Sequence, residues 1–460
     1  MLQPVERVGV DGFNLALGQG TGVATYARTL IDALHGLGRS VDLIYGLNVP
    51  PDAAPALRET LFYASLAEGR TGNEPPDRIS PLGRIRRRFL RRGARALVEV
   101  PIGERVVQQG FASRVPPCER LFTYHRLFYI GGRYLRRYGR LMPVRMADPP
   151  PIMHWTYPVP VRLVGARNLY TIHDLVPLRL PWLSCEDRTY HELLLRRCIA
   201  EGARILTVSE TSRADIAAQL DLAGDTLVNL YQAVPPAPSV DEVPLARALD
   251  RLFGLKPQGY LLYYGAIEPK KNVGRLIEAY LLSGVETPLV LVGQSAWGAD
   301  RELRLLTGGH GTRLAGVDRI RRIDHLPGDH LATLRAGAKA LLFPSLYEGF
   351  GLPAVEAMQA GVPVLVGAAG ALPEIAGGAA LLADPYDVGA LGDAIVALDT
   401  DEGLRAQLAR DGRIRAAEFA MAAYQARLAQ LHAELLGAST PMPGSRPAPP
   451  PVLTRLGEPV

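Results

Sequence analysis

Cysteine is scarce in this 460-residue chain: Cys118, Cys185 and Cys198 are the whole supply. Three unevenly spaced thiols make no disulfide framework and no metal-ligand pattern, and they suit a reducing cytoplasm. Long apolar runs are missing as well. No stretch approaches the roughly 18 apolar residues needed to cross a bilayer. The start, Met1 to Val10, runs into a first strand with no basic segment ahead of an apolar one, so no secretory signal is expected. Acidic residues are thin in one region only. From Arg84 to Arg145 there are sixteen Arg and no Lys, against Glu99, Glu104 and Glu119. That segment alone exceeds the net charge of +5, and the remainder is mildly acidic.

What is present is ordinary for a soluble α/β protein: 48% hydrophobic residues with both charge signs well represented. The length predicts two or three domains, each able to bury a core. Strand and helix signals alternate in both halves. Val8–Val10, Val41–Tyr45, Leu169–Ile172 and Ile205–Val208 read as buried strands of one sheet. Leu261–Tyr264, Leu289–Val292, Leu341–Phe343 and Val364–Val366 read as those of a second. Helical patterns at Thr25–Leu37, Arg275–Ser283, Leu331–Ala338 and Val388–Leu398 lie between them, which argues for parallel sheets covered by helices. The expected class is α/β, with two Rossmann-like domains facing each other across a cleft. The Pro-rich stretch Val234–Pro244 can continue neither a helix nor a central strand, so it marks the boundary. A long helical pattern covers Gly403–Leu436, and 438–460 reads as a disordered Pro-rich tail.

The chemistry concentrates in Phe343-Pro-Ser-Leu-Tyr-Glu348-Gly349-Phe350-Gly351-Leu352-Pro-Ala-Val-Glu356. An apolar strand, Ala340–Phe343, leads through a Gly-rich turn into a helix opening near Pro353, a residue suited to a first helical turn. Two carboxylates therefore bracket a strand-to-helix turn, where ligands of α/β sheets sit. A carboxylate there can accept from two hydroxyls, as a ribose or hexose offers. Gly265-Ala-Ile-Glu-Pro-Lys270-Lys271-Asn272 also leads from a strand into a helix. It places Lys271 at a strand-to-helix turn, where a cation can meet an anionic ligand, with Lys270 one step round. The turn Gly370-Ala-Leu-Pro-Glu374 opens a further helix and reads as an anion site. Asp399-Thr-Asp401 matches an Asp-x-Asp metal motif, but it lies between two helical patterns and reads as a cap; no metal is expected.

These motifs resemble the retaining glycosyltransferases of family 4, whose fold is GT-B. The family motif is Glu, seven residues, Glu, written around Glu-Gly-Phe-Gly. The Gly265–Asn272 turn is similar to the family's phosphate-binding turn, and Gly370–Glu374 and Thr171-Ile-His173-Asp174 match in order and spacing. The resemblance covers nearly all of 255–400 and parts of the first half. It departs at Ala266, where many members have Arg. It implies an N-terminal acceptor-side domain (1–235, with an Arg-rich insertion at about 50–150) and a nucleotide-sugar domain (245–417). A last helix (418–437) is expected to return to the first domain. It further implies that Glu356 holds the ribose hydroxyls, and that Glu348 with the Gly349, Phe350, Gly351 and Leu352 turn orients the sugar. Lys270, Lys271 and the turn at Gly370 would meet the diphosphate. His173 and the Gly20–Gly22 loop would line the reaction centre, with His173, Glu348 and Lys271 catalytic. The expected partners are a GDP- or UDP-sugar, mannose or a related hexose, and a glycan or polyprenyl-linked acceptor of the cell envelope. No cofactor and no nucleic acid are expected. The rival is a non-catalytic GT-B relative that binds a nucleotide or glycan.

The insertion carries two apolar stripes flanked by Arg at helical spacing: Ile85, Phe89, Ala96 and Leu97, then Leu127, Ile130, Tyr134, Tyr138 and Leu141. An interfacial helix looks like this, which predicts peripheral contact with the inner face of the membrane through Arg84–Arg145. The bland alternatives are stripes packed on their own domain under solvated Arg, or an oligomer interface.

Overall fold

The computed structural model describes residues 7–17, 21–50, 52–73, 93–103, 106, 108–185, 187–222, 226–235, 242–307 and 315–437. Gly20, the stretch Arg84–Arg92 and the expected tail at 438–460 lie outside the described residues. The chain divides into two units. The described residues of the first are 7–208, 213–233 and 421–437; those of the second are 209–212 and 234–420.

The first unit is built on an eight-stranded sheet. In spatial order its strands are Leu227–Asn229, Arg204–Thr207, Arg167–Thr171, Ile152–Trp155, Arg7–Asp11, Ser40–Tyr45, Arg120–Thr123 and Val98–Val100. All neighbours are parallel except the last pair. Strands buried on both faces need apolar side chains on both, which is why Ile152–Trp155 is buried at every position. A three-stranded parallel sheet, Arg95–Ala96, Met142–Arg145 and Val161–Leu163, lies beside it. Asn168 ties the two together: its side chain accepts from Trp155 Nε1 (2.9 Å) and Leu163 N (2.8 Å) and donates to Leu163 O (2.9 Å).

Two expectations for the insertion are corrected here. Arg95 to Leu97 are not helical. Arg95–Ala96 pair with Val144 and Arg145, and Leu97 N donates to Arg145 O (2.7 Å). The second stripe does sit on a helix, Leu127–Tyr138, but it is spent on the unit's own core. Leu127, Tyr134 and Leu141 are buried, with Ile130 and Tyr138 packed against them. Those side chains cannot insert into a membrane. Arg136, Arg137 and Arg140 stay exposed, Arg136 with its guanidinium 3.9 Å from the Tyr190 ring centroid.

The second unit has six parallel strands in the order Ile320–Ile323, Leu289–Val292, Leu261–Tyr264, Ala340–Phe343, Val364–Gly367 and Leu381–Ala383. The four central strands are buried throughout. The edge strand Ile320–Ile323 turns Arg321 and Arg322 to solvent, as an unpaired edge should. The single pattern expected over Gly403–Leu436 is two helices, Glu402–Ala417 and Met421–Leu435. Between them Phe419 turns inward, 2% exposed, with its ring 5.3 Å from Phe350, and its carbonyl accepts from Val234 N. Met421–Leu435 belongs to the first unit. It buries Tyr424, Leu428 and Leu431, and His432 Nε2 meets His154 Nε2 at 2.8 Å.

Candidate functional site

In the second unit the strand Leu261–Tyr264 passes into a single 3-10 turn, Pro269–Lys271, and then the helix Val273–Ser283. Asn272 makes the junction. It takes the left-handed conformation (φ 62°), which Asn tolerates, and its buried amide donates to Pro344 O (3.0 Å) and Pro385 O (2.6 Å). Leu346 N donates to Lys270 O (2.9 Å). The lysine turn is thus fastened to the Gly-rich turn by main-chain and amide bonds, and the lysine positions do not depend on long side chains finding one another.

Both lysines converge on Glu348. Lys271 Nζ donates to Glu348 Oε1 at 2.5 Å, and Lys270 Nζ lies 4.0 Å from Oε2. Burial pushes the Glu348 carboxyl up, but Lys271 and Lys270 outweigh it and hold the group below the usual carboxylate range. Glu348 is therefore an acceptor at neutral pH and cannot act as an acid. With two ammonium groups against one carboxylate, the cluster carries a net positive charge.

Glu356 forms a second cluster. It sits on the helix Leu352–Gln359, and its Oε2 accepts from Tyr264 Oη (2.7 Å) and Arg335 Nη1 (2.7 Å). Among the described residues Oε1 accepts no hydrogen bond. Tyr264 and Arg335 escaped the sequence reading. Tyr264 closes a strand at the end where ligands bind, a signal that could have found it. Arg335 gives none.

The glycines of the turn have structural work. Gly351, at the cap of the helix, has φ +98°, and a Cβ there would lie 2.5 Å from Leu372 Cδ2. Gly370 has φ +59°, and its Cβ would lie 2.8 Å from Glu348 O and 2.9 Å from Glu348 N. Ala371 N donates to Glu348 O (3.0 Å). The helix after Gly370, Leu372–Ala376, has only five residues, so the dipole expected for an anion site there is slight. Gly370 acts by letting one backbone lie against Glu348. Phe350 is buried against Phe419, and Gly349 and Leu352 complete the turn.

In the first unit Gly22 opens the helix Gly22–Gly36, which Thr21 caps. His173 follows the strand Arg167–Thr171. Its Nε2 is 2.9 Å from Thr156 O, an atom that can only accept, so Nε2 carries the hydrogen. Its ring meets Tyr26 edge-on, with centroids 4.9 Å apart. The same Thr156 donates its N–H to Asp11 Oδ2, and Phe13 N donates to Asp11 Oδ1 (3.0 Å). Asp11 is wholly buried, and burial pushes its carboxyl up to about 6, against the lowering by these N–H groups. Asp399 and Asp401 do not form a metal pair. Asp401 accepts from Leu404 N (2.8 Å) as a helix cap and Asp399 takes Lys339 (2.5 Å).

The two parallel-sheet units have the GT-B fold. Residues 253–415 match the family model of the glycosyl transferases group 1. It is 36% identical over 262 residues to the O-antigen chain mannosyltransferase B of Escherichia coli, covering 55% of this chain and 66% of that protein. It is 29% identical over 280 residues to the serotype-specific mannosyltransferase WbdA of Escherichia coli, covering 58% of this chain and 33% of that protein. These matches thus span between a third and two thirds of the relatives' lengths. The Anabaena protein HepE, solved in complex with UDP and glucose, has a TM-score of 0.60 at 14% identity and covers 93% of this chain and all of its own, a likeness of fold.

Proposed function

We propose that this chain is a retaining hexosyltransferase. It moves mannose or a related hexose from a GDP- or UDP-sugar to a glycan or polyprenyl-linked acceptor in cell-envelope polysaccharide synthesis. The observation that carries this is the net-cationic cluster of Lys270, Lys271 and Glu348, beside the carboxylate of Glu356, at the ends of parallel strands. Negative charge grows on the diphosphate as the glycosidic bond breaks, and prepositioned cations favour that transition state over the ground state. Glu348, ionised and fixed by the lysines, accepts hydroxyls of the sugar. Glu356 accepts the ribose hydroxyls through the oxygen that Tyr264 and Arg335 leave open. His173, oriented by Thr156, lines the reaction centre with the loop ending at Gly22. Retention rests on the resemblance to the retaining enzymes of family 4, with the acceptor attacking from the face that the diphosphate leaves. The mannose preference rests on the mannosyltransferases among the relatives.

The chain acts at the inner face of the cytoplasmic membrane, held by charge: Arg136, Arg137 and Arg140 on and after the helix Leu127–Tyr138 are exposed while its apolar stripe packs on the core. Among the described residues no helix is long and apolar enough to cross a membrane. The test is transfer by the purified chain across UDP-, GDP- and ADP-sugars with a lipid-linked glycan acceptor, with the anomeric configuration of the product read by NMR. An α-linked product from an α-donor is expected. Tight nucleotide binding with no transfer or donor hydrolysis would mean a binding relative without catalysis.

A further inference from the structure

Arg335 sits in the last turn of the helix Gly328–Ala336, outside both signature motifs, yet its side chain is only 11% exposed and reaches Glu356. A buried guanidinium has five N–H donors to satisfy. Nη1 meets Glu356 Oε2 at 2.7 Å, and the guanidinium carbon is 5.9 Å from the Tyr264 ring centroid. Nε is buried with no hydrogen-bond partner among the described residues. The Tyr264 phenol, which donates to Pro353 O (2.9 Å) and to the same Glu356 oxygen (2.7 Å), does not lie in bonding position for Nε. A buried donor without an acceptor is a standing cost that a ligand oxygen would remove. The charge on Arg335 is already balanced by Glu356, so a neutral acceptor suits it better than a phosphate.

Resting on the proposed function, we infer that Arg335 is a donor-binding residue that contacts the ribose of the nucleotide directly, beside the hydroxyls taken by Glu356. It does so while holding Glu356 in place, so one side chain both orients the carboxylate and adds its own bond to the sugar ring of the nucleotide.

The test is calorimetry on the full chain with UDP, GDP and inorganic pyrophosphate as probes. Arg335→Met should weaken binding of whichever nucleotide the wild type takes by about tenfold or more, the size of a lost charge-assisted bond, and leave pyrophosphate within about twofold. Arg335→Lys, which keeps a cation for Glu356 but has no Nε–H, should bind nucleotide more weakly than wild type while melting at the same temperature. The decisive comparison is in a Glu356→Gln background. There Arg335→Met should weaken nucleotide binding again. If it has no further effect, Arg335 works only through Glu356 and the direct contact is refuted. Equal nucleotide binding by wild type and both Arg335 variants also overturns the inference but leaves the glycosyltransferase reading standing. A wild type that binds neither UDP nor GDP overturns both.

Discussion

Replacing Lys271 by Met removes the ammonium 2.5 Å from Glu348 Oε1 but keeps a stem of similar length over the Phe343 ring. Two effects follow, and they separate. On stability, Glu348 is left 7% exposed with Lys270 at 4.0 Å as its remaining cation. Breaking a buried pair costs about 3–5 kcal/mol. Lys270 remains and Lys271 is itself 16% exposed, so a loss of about 2–3 kcal/mol is expected. On turnover, two unit charges about 4 Å apart interact by about 4 kcal/mol at an effective dielectric of about 20. Each ~1.4 kcal/mol is tenfold in rate, so kcat should fall by about 10²- to 10³-fold. The donor KM should move much less, because the charge develops after binding. Steady-state kinetics and urea unfolding on the same preparation read both effects. Adding Glu348→Gln to Lys271→Met should restore stability, since the unpaired buried charge is gone, and should not restore kcat. A Lys271→Met enzyme with kcat within about threefold of wild type would refute the leaving-group role.

The buried Asp11 gives a pH signature. Its folded value of about 6 lies above the ordinary 3.8, so the native state binds the proton more tightly. The stabilisation is full below about pH 3.8 and is lost as pH rises through 6, about 3 kcal/mol in all. Urea unfolding followed between pH 4 and 6.5 should show this slope in wild type, and Asp11→Asn should flatten it; an unchanged slope would contradict the assignment. Transfer should survive EDTA, because lysines and main-chain groups supply the anion site. Full loss with EDTA, restored by Mg²⁺ or Mn²⁺, would overturn that. Changing Arg133, Arg136, Arg137 and Arg140 to Glu should abolish flotation with anionic vesicles at low salt, at about 1 kcal/mol per charge, and leave donor hydrolysis intact. A wild type that ignores such vesicles would remove the membrane proposal.

The central strands of both units could be read from the sequence because parallel strands buried on two faces are unbroken apolar runs, as Leu261–Tyr264 and Leu289–Val292 are. Glu348, Glu356 and the two lysines could be read because they cluster in short stretches. The links between those stretches could not. Tyr264 and Arg335 meet Glu356 from 92 and 21 residues away, and nothing local marks the meeting. The stripe from Leu127 to Leu141 shows a different limit. A helix facing lipid and a helix facing its own core share one period, and only packing tells them apart. The break at Phe419 has no Pro or Gly to announce it, because a buried ring sets it.

That break also fixes an order of events in synthesis. The first unit leaves the ribosome early, but its last helix, Met421–Leu435, is made after the whole of the second unit. Until then Tyr26, Ala33 and His154 wait without Tyr424, Gln425 and His432. The nascent first unit therefore presents an uncovered apolar seam for the time it takes to translate some two hundred residues, roughly 10–40 s at ordinary elongation rates. A chaperone has that interval in which to engage it, and a ribosome stalled before Met421 would release a protein whose N-terminal half is never closed.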